Sequence, residues 1–198
     1  MAKIRKRTLR GGNMLNPTPV VMVSCGSTPD EYNIITVAWT GTVSSDPPMC
    51  SVSIRPERHS YALIKQSGEF VINLVDKRLT PCADWCGVRS GLKYNKFLET
   101  GLTPVRASKV SVPMIEESPV NLECKVTQII PLGTHDLFLA EILAVHVNGE
   151  LFSPKTDAIE LQRANLVAYS HGHYYALGEK LGRFGFSVEK KKERHGLP

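Results

Sequence analysis

The sequence predicts a mainly β protein, an antiparallel barrel that is closed or nearly closed and carries a few short helices. Short apolar runs rich in β-branched residues recur along the chain, separated by turn signals about every 8–12 residues. A longer run near residue 125 alternates polar and apolar side chains, as does a strand with one face in water. The 198 residues are enough for one domain of about 100–200 residues.

Three strands are predicted near the start of the chain, at residues 19–24, 33–40 and 49–54. Residues 27–31 are rich in Ser, Thr, Pro and Asp, which predicts a turn between the first two strands. The Pro47-Pro48 pair interrupts the chain before the third strand. Short strands joined by short connections are typical of an antiparallel meander.

Three short helices are expected, at residues 56–68, 80–86 and 94–100. Each ends at or just before a glycine, the residue that most readily adopts the left-handed conformation after a last helical turn. The second helix begins at Thr80-Pro81, where an N-cap residue precedes a proline suited to the first helical position.

Three further strands are expected, at residues 69–75, 120–130 and 135–147. Alternation along the second of them predicts one buried face and one wet face. The polar residues predicted to face water are Asn121, Glu123, Lys125 and Thr127. The Asn148-Gly149 pair that follows the last strand is a tight-turn signal.

The net charge of +5 belongs to the two ends of the chain. Residues 1–10 sum to +5 and residues 183–198 to +3, which leaves −3 for the residues between them. The predicted division is a basic N-terminal tail (1–11), one domain (12–188) and a basic C-terminal tail (189–198). Binding of nucleic acid or another anionic surface through these tails is a remote hypothesis; the favoured interpretation has neither nucleic acid nor a membrane as partner.

The composition argues against secretion and membrane insertion. No apolar run approaches the roughly 18–20 residues that span a bilayer, and no signal-peptide core follows the basic N-terminus. The five cysteines are an odd number, which is typical of reduced thiols and predicts a cytoplasmic protein. Cys82 and Cys86 are interpreted as ordinary helix-face thiols, with a redox or ligand role left open. No metal site is predicted, although His171 and His173 share one face of a strand.

Residues 53–61 read S-I-R-P-E-R-H-S-Y and place Arg55 and Arg58 between a strand and a helix. Two guanidinium groups, the Ser60 hydroxyl and a helix N-terminus together could hold a phosphate. The alternative is that both arginines are surface residues paired with Glu57 and Glu69. Upstream, Thr36 and Thr40 offer hydroxyl groups, and Gly41 lets a ligand approach the backbone closely.

A second candidate anion site is the small-residue loop at residues 87–97, in which Lys96 would act as a point charge. An ordinary loop is the alternative. The phosphate-binding pattern G-x-x-x-x-G-K-[ST] and the dinucleotide fingerprint G-x-G-x-x-G after a strand are both absent from the sequence.

Taken together, these motifs resemble the flavin reductase-like family of FMN-binding split barrels, particularly its flavoredoxin-type branch. The resemblance covers roughly residues 12–188 and rests on several independent motifs in the same order. They are N-x-x-T-V-A-W-T-G (33–41), D-P-P (46–48), S-I-R-P-E-R-H-S-Y (53–61), S-G-E-F-V-I-N-L (67–74), C-G-x-x-S-G (86–91), L-E-C-K-V (122–126), H-D-L-F (135–138) and Y-Y-A-L-G (174–178).

The resemblance implies a split-barrel homodimer with FMN at the subunit interface. It implies that residues 36–40 face the isoalloxazine ring, that residues 53–55 pass beside it and that the phosphate lies near Arg58. The candidate cofactor-binding residues are Asn33, Thr36, Val37, Ala38, Trp39, Thr40, Ser53, Ile54, Arg55, Arg58, Ser60, Tyr61, Ser90, Gly91 and Lys96. His135 is the candidate catalytic residue, at the position where relatives that use nicotinamide place a histidine.

Two functions follow from the resemblance, and the sequence does not separate them. The first is an oxidoreductase in which NADH or NADPH passes a hydride to FMN. The second is a flavoredoxin-like carrier that moves electrons between redox protein partners and has no small substrate of its own.

Overall fold

The computed structural model describes residues 4–188 and is built around a seven-stranded antiparallel sheet. The strands are β1 (Thr18–Pro19), β2 (Val21–Cys25), β3 (Asn33–Val37), β4 (Thr40–Ser45), β5 (Pro48–Ile54), β6 (Glu69–Leu74), β7 (Pro104–Val105), β8 (Met114–Ile115), β9 (Val120–Pro131), β10 (Asp136–Val147), β11 (Val167–Ser170) and β12 (His173–Ala176). The helices are α1 (His59–Ser67), α2 (Thr80–Val88) and α3 (Lys96–Thr100). Short 3₁₀ turns lie at Pro29–Glu31, Gly149–Leu151, Leu161–Ala164 and Phe186–Val188.

The main sheet has the order β3-β2-β6-β9-β10-β5-β4 and curls into a half-barrel. The long β9–β10 pair carries register irregularities at Leu139/Ala140 and Ile142/Ala144, and such bulges increase local twist. β3 and β4 are opposite edges of the sheet, yet they follow each other in the chain. The chain crosses between the edges at Ala38 and Trp39, where the Trp39 carbonyl accepts a hydrogen bond from the Ser53 amide at 2.9 Å. The predicted mainly β barrel architecture is confirmed.

The prediction of one strand over residues 33–40 is wrong, and so is the simple meander. The ladder between β2 and β3 ends at Val37, and the next strand pairs instead with β5 at the far edge of the sheet. The first strands therefore form two separate hairpins. This break places the backbone of Ala38 and Trp39 at the mouth of the half-barrel.

Both faces of β2 are covered, which accounts for its continuous apolar run. Val21 and Val23 belong to the core inside the half-barrel, together with Ile64 of α1. Met22 belongs to a second core, which is covered by α2 and α3 through Ala83 and Phe97. The side chains of β2 thus alternate between two hydrophobic cores.

The predicted helices are present with shifted ends. Gly68 and Gly101 end α1 and α3 in the left-handed conformation, with φ of 69° and 68°. α1 begins later than expected because the Arg58 amide bonds the Arg55 carbonyl in a preceding turn. α2 continues through Gly87, whose missing Cβ would lie 3.3 Å from the Thr36 side chain.

The prediction that four polar residues of the strand at 120–130 face water is correct for two of them and wrong for the other two. Lys125 and Thr127 are exposed, but Asn121 and Glu123 are buried. The irregular segment that contains β7 and β8 folds over this end of the sheet, and its backbone binds the Glu123 carboxylate.

The ends of the chain do not add to the sheet. Residues 4–12 are exposed and lack regular structure, whereas residues 1–3 and the predicted tail at 189–198 lie outside the described residues. Gly149 begins a 3₁₀ turn rather than a hairpin. None of the helices found between residues 4 and 188 has the length and apolar character needed to cross a bilayer.

Candidate functional site

A cavity of about 380 Å³ opens where the N-terminus of α1, the loop after α2 and the edge strand β3 meet. Six of its lining residues carry the argument, and we call the space that they enclose the cationic cavity. They are Asn33, Arg58, Ser60, Arg89, Gly91 and Lys96. The structure therefore brings together both anion-binding segments predicted from the sequence.

Arg58 is the N-cap residue of α1 and is exposed in this cavity. The alternative that both arginines pair with carboxylates holds only for Arg55, which lies 3.5 Å from Glu57. Glu69 instead accepts hydrogen bonds from the amide and hydroxyl of Ser111, both at 2.7 Å.

Among the described residues Arg58 has no ion pair. The Tyr61 amide of α1 donates to the Arg58 carbonyl at 2.9 Å, whereas the amides of His59 and Ser60 have no backbone acceptor among the described residues. The Arg58 guanidinium and these two amides are available to an anion.

Asn33, Ser60 and Gly91 form a tight polar corner of the cationic cavity. The Asn33 side-chain amide donates to the Ser60 hydroxyl at 2.7 Å, and its Oδ1 is buried without a partner. A Cβ on Gly91 would lie 2.3 Å from that oxygen, so any side chain at this position would require the Asn33 amide to move. The corner keeps unused hydrogen-bonding capacity next to the cavity, since the Ser60 hydroxyl proton also remains to be donated.

Lys96 lines the cavity, but its side chain is bonded to the backbone and not exposed to solvent as the sequence predicts. Its side chain is buried, and Nζ donates to the carbonyls of Ile34 at 2.7 Å and Cys86 at 2.6 Å. Burial lowers its pKa. The ammonium group ties β3 to α2 and is not an exposed point charge. No carboxylate among the described residues pairs with it, so its charge still acts on the cavity.

A second cavity of about 320 Å³ adjoins the first and shares Ile35 and Arg58 with it. We call it the aromatic cavity. Its lining includes Thr36, Val37, Ala38, Trp39, Ser53, Ile54, Arg55, His135 and Tyr169. Trp39 and His135 meet edge to face, with ring centroids 5.9 Å apart.

The backbone of β3 borders the aromatic cavity as an unpaired strand edge. β3 pairs only with β2, so alternate amides and carbonyls along it have no strand partner. Lys96 already uses the carbonyl of Ile34, and the Thr36 hydroxyl donates to Ala83. The backbone groups toward Ala38 remain available to a flat polar ring.

Two predicted site residues lie outside these two cavities. The Tyr61 hydroxyl donates to Asp136 at 2.6 Å, and its ring packs edge to face against Phe138 at 5.4 Å. Thr40 lines a third space of about 710 Å³, together with Trp39, Gly41, Thr42, Val43 and Tyr169, among others.

Three residues that sequence reasoning did not select lie at the site. Arg89 lines the cationic cavity, and its guanidinium lies 5.7 Å from the Tyr94 ring centroid. His59 lines the same cavity, and Tyr169 reaches the aromatic cavity from β11. Arg89 lies inside the C-G-x-x-S-G motif, so the sequence motif could have predicted its place at the site. For Tyr169 the sequence left two alternatives open, lining of a neighbouring subunit's ligand pocket or ordinary packing, and the structure places it at the aromatic cavity of its own chain.

His171 and His173 are exposed, and residues 4–188 contain no group of three or more His, Cys, Asp or Glu side chains that could hold a metal ion.

Comparisons with known proteins agree with the resemblance read from the sequence. The model of the flavin reductase like domain matches residues 14–178. An uncharacterized protein of Archaeoglobus fulgidus is 38% identical over 123 residues, which are 62% of this chain and 69% of that protein. An NADPH-flavin oxidoreductase of Streptomyces viridifaciens is 29% identical over 143 residues, 70% of this chain and 71% of the other. The flavoredoxin structure of Desulfovibrio vulgaris (Miyazaki F) matches with a TM-score of 0.86 and 29% identity, covering 93% of this chain and 100% of that one.

Proposed function

The chain belongs to the flavin reductase like domain family, and from this premise we propose that it binds FMN across the cationic and aromatic cavities and works as a redox flavoprotein. The observation that carries the proposal is the cationic cavity itself. Glu57 also lines this cavity, but its carboxylate pairs with Arg55, and Arg58, Arg89 and Lys96 converge there without an ion pair to a described carboxylate. A phosphate monoester supplies the missing negative charge.

The residues present fit FMN in charge and in size. At the phosphate end, the Ser60 hydroxyl accepts a hydrogen bond from the Asn33 amide and can itself donate to a phosphate oxygen. The two adjoining cavities, of about 380 and 320 Å³, are each in the range of small-molecule sites, which is roughly 300–1,000 Å³. When bound, FMN supplies a ring that takes up and releases electrons or a hydride.

The side chains of this site bind and orient rather than react. Arg58, Arg89 and the amides of His59 and Ser60 would hold the phosphate, because hydrogen bonds between ionised partners are stronger than those between neutral groups. Trp39 and His135, which are in contact with each other, would border the ring and limit the access of water to it. The free backbone edge at Thr36–Ala38 orients the polar edge of the ring.

The first form of this proposal is an oxidoreductase that takes a hydride from NADH or NADPH. It is supported by the similarity to an NADPH-flavin oxidoreductase and by the position of His135 in the aromatic cavity. The second form is an electron carrier between redox proteins. It is supported by the likeness to a flavoredoxin at 29% identity.

Rapid mixing of the FMN-loaded chain with NADH and with NADPH tests the two forms. Saturable bleaching of the flavin absorbance by either nucleotide is the result expected of the oxidoreductase. No bleaching, combined with rapid reduction by a reduced ferredoxin-type protein, would replace the first form with the second. A protein that remains colourless after FMN addition and desalting would remove both.

We also propose that the chain forms a homodimer with the flavin near its interface. Val88, Leu92 and Leu98 are each exposed in the segment that adjoins the cationic cavity, and exposed apolar side chains near a site favour a contact surface there. Light scattering with and without FMN measures the mass in solution, and a monomer in both conditions would contradict the proposal. The cytoplasmic location inferred from five free cysteines stays a prediction.

A further inference from the structure

Tyr61 and Asp136 connect the two ends of the candidate site without lining either cavity. Tyr61 lies in the first turn of α1, directly after Ser60. Asp136 is the first residue of β10, directly after His135. The Tyr61 hydroxyl donates to the Asp136 carboxylate at 2.6 Å, and among the described residues no other hydrogen bond joins α1 to β10. The pair therefore links the helix beside the cationic cavity to the strand beside the aromatic cavity.

The α1 end of this link is held by the backbone and by packing. The Tyr61 amide donates to the Arg58 carbonyl at 2.9 Å, in the turn that carries Arg58 and Ser60. The Tyr61 ring packs edge to face on Phe138, with centroids 5.4 Å apart, and the Lys65 ammonium lies 5.7 Å from the Tyr61 centroid. A shift of Tyr61 would therefore move the residues placed at the phosphate end.

The β10 end of the link belongs to the wall of the aromatic cavity. Asp136 pairs in the sheet with Ile54 of β5, and both Ile54 and His135 line that cavity. The Asp136 carboxylate is buried, and no Lys, Arg or His of the described residues forms an ion pair with it. The hydrogen bond to Asp136 raises the pKa of Tyr61, which keeps the hydroxyl protonated as a donor. A hydrogen bond to an ionised acceptor is stronger than one between neutral groups, so this link resists rearrangement.

We propose that Tyr61 and Asp136 are positioning residues that set the distance between the phosphate end and the ring end of the FMN site. The proposal rests on the proposed function, since only a ligand that spans both cavities senses that distance. A ligand with two linked groups gains affinity from both only if their subsites are held at the matching spacing. Riboflavin at the ring end and inorganic phosphate at the other end should not depend on the link.

Tyr61→Phe tests the proposal, because it removes the hydroxyl and keeps the ring. Titrations of the full chain, followed by flavin fluorescence, should show FMN weakened by about fivefold or more and riboflavin changed by less than about twofold. Inorganic phosphate, measured as a competitor of FMN, should also keep its affinity within about twofold. An unchanged FMN affinity, or a loss shared equally by riboflavin or phosphate, would overturn the proposal.

Variants of Asp136 test the hydrogen bond itself. Asp136→Asn keeps an oxygen that can accept from the Tyr61 hydroxyl, so FMN affinity should stay within about threefold of the wild type. Asp136→Leu has no acceptor and should weaken FMN as much as Tyr61→Phe does. The double variant Tyr61→Phe/Asp136→Leu should lose no more than either single variant, because both remove the same bond. Losses that add in the double variant, or an Asn variant as weak as the Leu variant, would overturn the proposal.

Tyr174→Phe is the matched control. The Tyr174 hydroxyl donates to Asp84 at 3.0 Å, and Tyr174 lines neither flavin cavity. The variant removes a bond of the same kind and should leave the affinities for FMN and riboflavin within about twofold. A loss of FMN affinity equal to that of Tyr61→Phe would show that any lost tyrosine–aspartate bond has this effect, and would overturn the positioning role.

The wild-type titration separates this proposal from the proposed function. If the wild type does not bind FMN, the proposed function fails and the positioning role fails with it. If the wild type binds FMN and Tyr61→Phe binds it equally well, the positioning role alone is overturned.

Discussion

Two buried charges in different parts of the molecule are compensated in different ways. Glu123 on β9 accepts hydrogen bonds from the Ser108 amide at 2.8 Å and hydroxyl at 2.7 Å and from the amides of Lys109 and Val110, and it contacts His146. Lys96 reaches only two backbone carbonyls, and no carboxylate of the described residues pairs with it.

The difference separates a structural charge from one that acts on a binding site. Donors of the chain itself satisfy the hydrogen-bonding capacity of the Glu123 carboxylate. This group therefore holds the segment that covers β9 in place. The Lys96 ammonium borders a cavity with two further cations, so its electrostatic compensation is incomplete until an anion arrives. Replacing Glu123 should therefore affect stability alone, whereas replacing Lys96 should affect both stability and phosphate affinity.

The largest effect is expected for Glu123→Gln. The amide puts an NH₂ group against donors that point at a carboxylate, and loss of one member of a buried charged network costs about 3–5 kcal/mol. Urea unfolding measures the change. Glu117→Gln is the control, because Glu117 accepts similar bonds from Thr103 at an exposed site and should cost less than about 1 kcal/mol. A comparable loss of unfolding free energy in both variants would show that burial of the carboxylate does not determine the cost of its replacement.

Lowering the pH should reproduce, in the wild-type chain, part of the stability loss expected for Glu123→Gln. Burial raises the pKa of Glu123, but the hydrogen bonds from Ser108, His146 and Lys109 outweigh it and bring the pKa to about 2. Because this value is below the ordinary 4.5, the stabilisation is complete above pH 4.5 and is lost as the pH falls toward 2. Unfolding free energies of the wild type and Glu123→Gln should converge over that interval. A constant difference between them would contradict the assignment.

Glu123 also marks a limit of what the sequence could predict about the fold. The existence and type of the main strands and helices followed from turn residues, β-branched runs and closing glycines such as Gly68. The alternation along β9 predicted water contact for Glu123, because a strand's own pattern contains no information about a segment that folds over it. The single strand predicted at 33–40 failed for a related reason, since the exchange of edges at Trp39 is set by tertiary closure.

The candidate site was predictable where its residues lie together in motifs. Arg58, Ser60, Ser90 and Gly91 were selected from two segments, and the structure places them around one cavity. Tyr61 lies in the same motif but bonds Asp136, a partner 75 positions away in the sequence. Lys96 was selected as a cation, but its burial depends on the packing of β3 against α2 and α3.

The next effect in size is expected for Lys96→Met, which keeps the aliphatic stem and removes the charge. Two buried carbonyls lose their donor, which costs about 2–3 kcal/mol of stability. FMN should also bind about tenfold more weakly, and riboflavin, which lacks the phosphate, should be nearly unaffected. Lys125→Met on the exposed part of β9 is the matched control for both measurements. An equal loss for FMN and riboflavin would reduce Lys96 to a structural role.

The smallest effect on stability, and the most selective effect on binding, is expected for Arg58→Ala. Arg58 is exposed and unpaired among the described residues, so its removal should leave the unfolding free energy within about 0.5 kcal/mol. Loss of a charge-assisted hydrogen bond to the phosphate should weaken FMN by about 1.5–3 kcal/mol, or roughly tenfold to a hundredfold. Fluorescence titration with FMN and riboflavin measures the difference.

The control for Arg58→Ala is Arg106→Ala, which removes the same charge from an exposed position outside both flavin cavities. Its FMN affinity should change by less than about threefold, and the change should disappear at high salt because it reflects only long-range attraction. The effect of Arg58→Ala should persist in salt, since a direct contact is screened much less. If the two arginine variants lose FMN affinity equally at every salt concentration, Arg58 does not touch the phosphate, and the unpaired charge of Lys96 would remain as the main attraction for it.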